Sequence, residues 1–554
     1  MIKKTIEDFK HPYAYSPRYN KRVAYFCMEY GIDQALKIYS GGLGFLAGSH
    51  MRSAYDLNQN MFGIGILWKF GYYDQVRKGD GTMDVLFMEK NYSFLEETGI
   101  KFRITVNRHE VTVKVYYLRP EVFGTVPMFF LSTITHENDY LAQSICFKLY
   151  DADVSTRIAQ SILLGVGGAK LLDLLDAGIE CYHINEAHAL PLAFYLYEKY
   201  NSIEEVKKRF VFTTHTPEEA GNEKQDIHLL NQMGFFCNLS LDKVREITDV
   251  KETLFNYSLV ALRFSGMANA VSKLHGVVSN EMWEGYSGVC KIRYITNAQS
   301  KNYWADRQLD EYMQDGRKED FTKRKIFCKS LLFDVVADQT GKLFDKNVLT
   351  IVWARRFAAY KRADLLTRDR HRFHALMTNK EFPVQIIWAG KPYPMDYEAI
   401  STFNNLVHIS REYANCAVLV GYELKLSSVL KKGADVWFNT PRVPREASGT
   451  SGMTAAMNGA INLSTNDGWL PEFARPGVNA FIVPTADRSL PINEQDKFDR
   501  DNFFDIIENQ IIPLYYQRPD EWYKIIRNSM MDVYPFFDAD RMAAQYYETL
   551  YELN

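Results

Sequence analysis

Cysteine is scarce in this sequence, with seven in 554 residues, at positions 27, 146, 181, 237, 290, 328 and 416. The number is odd, the spacing is wide, and no C-x-x-C occurs. This excludes a disulfide framework and a paired-cysteine zinc site, and points to buried free thiols in a reducing compartment. Long apolar runs are also lacking. No stretch reaches the roughly 18 residues that a membrane-spanning helix needs. The opening MIKKTIEDFKHPYAY places two lysines, Lys3 and Lys4, ahead of no apolar core, and Glu7 and Asp8 follow at once, so no secretory signal is expected. Charge of one sign is not in excess either. Lys and Arg number 65 against 68 Asp and Glu, a net charge of −3, which argues against a nucleic-acid binder. The expected location is the cytoplasm.

What is present is ordinary globular material. Apolar residues make up 47% and charged ones 24%, which excludes a disordered or fibrous chain. Aromatics reach 14%; sugar clefts and cores both use them, and composition alone favours the core. The length exceeds what one core supports, so two large domains are expected.

Apolar strand patterns alternate with helical ones. RVAYFCMEY (22–30), NMFGIGILW (60–68), CYHIN (181–185), RFVFTTH (209–215) and ANAVSKL (268–274) read as strands. Residues 154–176 carry Ile158, Ile162, Leu163, Leu171, Leu172 and Leu175 at helical spacing. KFRITVN, VTVKVYYL and VPMFFLST (101–133) alternate with period two, like an antiparallel insertion. A second series, LTIVWA, VQIIWAG, AVLVGY, ADVWFNT and AINLST, begins near 349. Two such series predict an α/β protein with two doubly wound Rossmann-like domains facing a cleft. The expected boundaries are 1–285 for the first domain, 286–525 for the second and 526–554 for a terminal helical segment.

In doubly wound domains the functional loops follow strands directly. In YSGGLGFLAG (39–48), Gly41, Gly42 and Gly44 form a turn whose backbone N–H groups can approach an anion, though a plain strand–helix turn reads equally well. HINEAH (183–188) fits no metalloprotease spacing, so no metal site is expected; Asn185 and Glu186 read as cleft or capping groups. His215 lies just past a strand, between Thr214 and Thr216. Arg355, Arg356, Lys361 and Arg362 fall within eight residues after LTIVWA, which suits a phosphate or diphosphate as well as a solvated helix face. After ADVWFNT, Glu446 enters a loop with Ser448, Gly449 and Thr450, small residues that let a ligand touch backbone. The alternative for Glu446 is a cap on the helix that follows.

With these motifs in order, the chain resembles the α-glucan (glycogen, starch, maltodextrin) phosphorylases, in their short bacterial and archaeal form. The anchors run nearly end to end: AYFCMEYG, IYSGGLGFLAGSH, INEAHA, VFTTHTPEEAG, SKLHGVVSNEMW, ITNAQSKNYW, WARRFAAYKR, IIWAGK and DVWFNTPRVPREASGTSGM. The resemblance implies the GT-B fold. It implies that His215 meets the glucosyl unit near the cleaved bond. Asn297 and Glu446 would bind its hydroxyls, helped by the Ser448–Gly449 backbone. Arg356 and Lys361 would hold the anionic group, and the Gly41–Gly44 turn would lie over the family's cofactor phosphate.

One departure bears on the chemistry. The family reads E-A-S-G-T-x-x-M-K, and that lysine forms the imine with pyridoxal phosphate. Here the position is Thr454, whose hydroxyl cannot form an imine. Ala298 and Gln299-Ser300-Lys301 also depart from the pattern after Asn297. No cofactor is therefore expected. The first-ranked expectation is a retaining hexosyltransferase acting on α-glucans or oligosaccharides without pyridoxal phosphate, from a nucleotide-sugar donor. An α-1,4-glucan phosphorylase ranks second and a noncatalytic carbohydrate-binding relative third, because a binder needs no cation pair. Expected partners are a carbohydrate with phosphate or a sugar nucleotide, neither nucleic acid nor membrane, and self-association into a homo-oligomer stays open.

Overall fold

The computed structural model describes residues 4–553. The chain divides into two units. The first takes the chain to Tyr72, Phe87–Asn297 and the stretch from Ala539 on; the second takes Tyr73–Leu86 and Ala298–Asp538. The division thus falls at Asn297/Ala298, after the expected 285/286. The expected terminal segment 526–554 is split: Pro519–Phe537 is one helix of the second unit, and the chain from Ala539 belongs to the first.

The first unit is built on a nine-stranded sheet. In spatial order the strands are Ile292–Tyr294, Met267–Ala270, Phe210–Thr213, Cys181–Asn185, Val23–Phe26, Met61–Ile66, Met128–Ser132, His109–Leu118 and Glu96–Val106. The first seven are mutually parallel. Numbered along the chain, those seven run 3-2-1-4-5-6-7, the doubly wound order that reverses at its first strand. Val23–Phe26 and Cys181–Asn185 are buried at every position, as a parallel sheet covered on both faces requires. The period-two segment is not a separate insertion. Its first two strands form an antiparallel ribbon, and the third, Met128–Ser132, joins the ribbon to the main sheet, antiparallel to one neighbour and parallel to the other.

The second unit carries a six-stranded parallel sheet in the order Cys416–Leu419, Val384–Ala389, Leu349–Ala354, Val436–Asn439, Ile461–Ser464, Ala480–Ile482. Along the chain this is 3-2-1-4-5-6, with a sixth strand beyond the five read from sequence. Its core packs Val352, Ala354, Ile387, Leu419 and Trp437 against Leu332 and Val336 of the helix Lys318–Thr340. The hairpin Asp74–Arg77 with Met83–Leu86 belongs to this unit because its polar groups finish backbone there. Gln75 donates to the Gly390 carbonyl and accepts from Gly421 N–H, and Tyr73 donates to the Pro392 carbonyl.

Candidate active site

Ligands of a doubly wound sheet bind beyond the strand ends where the order reverses. In the first unit that point lies between Val23–Phe26 and Cys181–Asn185, and in the second between Leu349–Ala354 and Val436–Asn439. The residues singled out from sequence follow those strands and their neighbours.

In the first unit Glu186 and His215 come together. The Glu186 carboxylate accepts from His215 N–H at 2.9 Å, from the Thr216 hydroxyl at 3.3 Å and from Ala187 N–H at 3.2 Å. Glu186 is therefore both a capping group and a brace for the His215 loop. Its φ of 66° lies in the left-handed region, strain of the kind concentrated at functional sites. Burial pushes its carboxyl up from the ordinary value. The His215 ring meets Asn185 Oδ1 through Nε2 at 2.7 Å. Burial, followed by the neighbouring His275 and His188, pushes its pKa down to about 3, so the ring is neutral.

The entry to the glycine turn is braced by a carboxylate: Glu29 accepts from Ser40 N–H at 2.7 Å, Gly41 N–H at 3.2 Å and the Ser40 hydroxyl at 3.0 Å. Tyr150 donates to the same carboxylate at 2.8 Å. Gly42 opens the helix Gly42–Asp56, and a Cβ on Gly44 would lie 2.6 Å from Glu29 Oε2, so this glycine makes room for the carboxylate. Asn297 is buried, with its N–H on the Val271 carbonyl and its Oδ1 without a hydrogen-bond partner. An orphaned buried acceptor costs about 1–3 kcal/mol, which a bound hydroxyl would recover.

In the second unit Arg355, Lys361 and Glu446 converge. Arg355 Nη2 donates to Glu446 Oε2 at 2.7 Å, and Lys361 Nζ lies 3.3 Å from the same oxygen. Arg355 and Lys361 are both buried, and Arg355 Nε and Nη1 have no partner. Burial works to raise the Glu446 pKa, but the Arg355 and Lys361 charges win and hold it below the usual carboxylate value. Lys361 is pushed down to about 7 by burial and then by Arg355, with Glu446 opposing. Below about pH 7, where Lys361 holds its proton, one carboxylate faces two buried cations and the site has positive charge to spare.

The other two members of the cation run part ways. Arg362 is structural: it donates to the Thr440 and Pro441 carbonyls and pairs with Asp496 and Asp499. Arg356 is exposed and hydrogen-bonds Tyr360. The guanidinium on Glu446 is thus that of Arg355, not of Arg356.

Glu446 does not cap the next helix. Thr450 is the N-cap of Ser451–Ala456, without a side-chain bond. The Glu446 N–H instead donates to Asp467 at 2.9 Å, and burial pushes the Asp467 carboxyl up to about 7. Sequence reasoning missed Asp467, which follows the strand Ile461–Ser464 and carries no motif of its own. The next residue is Gly468, at φ 61°, where a Cβ would meet the Ser448 carbonyl at 2.2 Å. Gly449, at φ 84°, lets the loop fold over the Glu446 side chain. Ser448 is buried and its hydroxyl has no partner. Thr454 is fully buried, and its hydroxyl donates to the Ser451 carbonyl at 3.0 Å.

Among the described residues, no group of three or more His, Cys, Asp or Glu side chains is arranged to hold a metal, and no helix is long and apolar enough to cross a membrane. The seven cysteines are unpaired, five of them buried and Cys237 and Cys290 half-buried.

A family model described as carbohydrate phosphorylase matches residues 252–475. The chain is 34% identical to the maltodextrin phosphorylase of Thermococcus litoralis, over 97% of this chain and 71% of that protein. It is 29% identical to a glycogen phosphorylase of Mycobacterium tuberculosis, over 96% of this chain and 70% of that one. It is 44% identical to an uncharacterized protein of Methanocaldococcus jannaschii, over 96% of this chain and all of the other. The motifs, the two doubly wound sheets and these relatives agree: the chain belongs to the carbohydrate phosphorylase family and is an enzyme of the glycosyltransferase type.

Proposed function

We propose that this protein is an α-1,4-glucan phosphorylase, moving a glucosyl unit between a glucan and phosphate with retention of configuration. The observation that carries the reading is the surplus of buried positive charge at Arg355 and Lys361, with two guanidinium nitrogens unpartnered. Arg355 suits an oxyanion through charge-assisted contacts from its unpartnered nitrogens, and Lys361 regains its proton as the anion arrives. Glu446, held in place by both cations, accepts a sugar hydroxyl. That bond strengthens as positive charge grows on the ring. In the same unit Ser448 Oγ supplies a further hydroxyl partner; in the first unit the groups suited to a sugar hydroxyl are Asn297 Oδ1 and the His215 ring. Arg356, beside this cluster in sequence, serves the approach of the anion. The GT-B assignment is part of the same proposal and rests on both sheets having the doubly wound order.

Pyridoxal phosphate does not fit here as a covalently held group. The position that would carry the imine is a buried threonine whose hydroxyl is already bonded to Ser451. The glycine turn that would cover the cofactor phosphate spends its first N–H groups on Glu29. The positive charge is assigned to substrate phosphate. The same departure is what favours the second reading, a nucleotide-sugar donor whose diphosphate would sit at Arg355 and Lys361; the names of the relatives favour phosphate.

A donor screen decides. Purified protein is given a maltooligosaccharide with inorganic phosphate, glucose 1-phosphate with the same acceptor, and separately UDP-, ADP- and GDP-sugars. Glucose 1-phosphate formed and consumed in the first two arms supports the phosphorylase. Transfer only from a sugar nucleotide would replace it.

A further inference from the structure

We propose that Asn185 and Cys27 lock the His215 imidazole in one neutral tautomer, with the proton on Nε2 and the lone pair on Nδ1. This makes Asn185 a positioning residue for the transferred sugar; the sugar's part in this rests on the proposed function.

Three adjacent parallel strands place the residues in a row. Cys27 follows Val23–Phe26, Asn185 ends Cys181–Asn185, and His215 stands two residues beyond Phe210–Thr213. The Cys27 thiol donates to the Glu29 carbonyl at 3.1 Å. A thiol has one proton, so toward Asn185 the sulfur can only accept, and Asn185 Nδ2 donates to it at 3.3 Å. The amide is thereby oriented, and its Oδ1 faces His215 Nε2 at 2.7 Å. An amide oxygen donates nothing, so Nε2 carries the proton and Nδ1 is left as the acceptor. Cys27 and Asn185 are both buried. The reversed amide would require the thiol to abandon the Glu29 carbonyl. The loop cannot drift either, because His215 N–H is tied to Glu186. The titratable groups around the ring are Glu186, His183, His188 and His275. The imidazoles of His188 and His275 oppose a second proton on His215, as does burial.

The test is the tautomer itself, read by nitrogen NMR on the full chain labelled at histidine, with His215→Gln identifying the His215 signals by their loss. The expected result is a protonated Nε2 and a bare Nδ1, unchanged from about pH 8 to about pH 5.5. Asn185→Asp places a carboxylate against Nε2 and should raise the ring's titration by about one pH unit or more. Cys27→Ala frees the amide to reverse and should shift population toward the Nδ1–H form. Asn185→Leu should give mixed tautomers. A wild-type ring protonated on Nδ1, or an unchanged tautomer in folded Cys27→Ala and Asn185→Leu proteins, would overturn the proposal. If Asn185→Leu does not fold, the wild-type and Cys27→Ala spectra decide. Activity is scored separately. The expected tautomer without phosphorolysis removes the functional reading and keeps the lock; phosphorolysis with an Nδ1–H ring removes the lock alone.

Discussion

Arg355 holds Glu446 with one nitrogen, Nη2, at 2.7 Å, and keeps its other two buried and unpartnered. The pair both neutralises the carboxylate and aims the guanidinium. Arg355→Ala should lower the rate on the order of 10²-fold or more by removing charge-assisted contacts to the anion. It should also cost up to about 3–5 kcal/mol, since breaking a buried pair strands the partner, with Lys361 limiting the damage. Arg355→Lys keeps the charge but loses the fork, so melting temperature should recover further than kcat/KM. Normal turnover by the alanine variant would reduce Arg355 to a structural ion pair.

Glu446→Gln should cut the rate on the order of 10²-fold while leaving two buried cations without their carboxylate. The variant should therefore gain more thermal stability from added sulfate or phosphate than the wild type does, because the anion replaces the missing charge. Equal anion shifts in both proteins, or an active but destabilised Glu446→Gln, would take Glu446 off the site.

Lys361 predicts a pH dependence. Its folded pKa is depressed to about 7, so the cation is present below that value and lost above it. Sulfate does not titrate in this range, and its affinity should fall as pH rises through about 7. Lys361→Arg, charged throughout, should flatten that slope. By linkage, the stability that neutral Lys361 contributes is lost as pH falls through about 7. A pH-independent affinity in the wild type would count against Lys361 as an anion ligand.

Asp467 works in the opposite sense. Its folded pKa is raised to about 7, so its contribution to stability is full below the ordinary carboxylate value and lost as pH rises through about 7. Asp467→Asn keeps an acceptor for the Glu446 N–H and removes the titration. Its melting temperature should therefore exceed the wild type's at pH 8, with the gap narrowing steadily as pH falls toward about 4. A constant difference across that range would assign the titration elsewhere.

Thr454 predicts the cofactor result. The purified protein should lack the near-ultraviolet absorbance of a bound pyridoxal imine, and borohydride treatment should leave no cofactor attached. Stoichiometric pyridoxyl-lysine after reduction would point to another lysine, and the buried Lys325 and Lys431 would then be the first to map.

Much of this protein is determined by local sequence. Five of the six strands of the second sheet are legible because each is a short apolar run bounded by polar or glycine-rich segments. The strand-end positions of Glu186, His215, Arg355 and Glu446 follow from the same pattern. Tertiary structure decided which groups meet. Four cations in eight residues look alike in sequence, yet one pairs with Glu446 beside Lys361, one is sunk among Asp496, Asp499 and two carbonyls, and one is exposed. The glycine turn carries no sign in its own sequence of Glu29, eleven residues upstream of Ser40, whose carboxylate braces its entry. The hairpin at 74–86 and the chain after Ala539 join units that their sequence neighbours do not, because their polar groups find partners there. Hydrophobic periodicity is written over a few residues and survives in the sequence. Ion pairing, orphaned polar atoms and the tautomer of a buried ring depend on atoms dozens to hundreds of residues apart, and only the folded chain brings them within 3 Å.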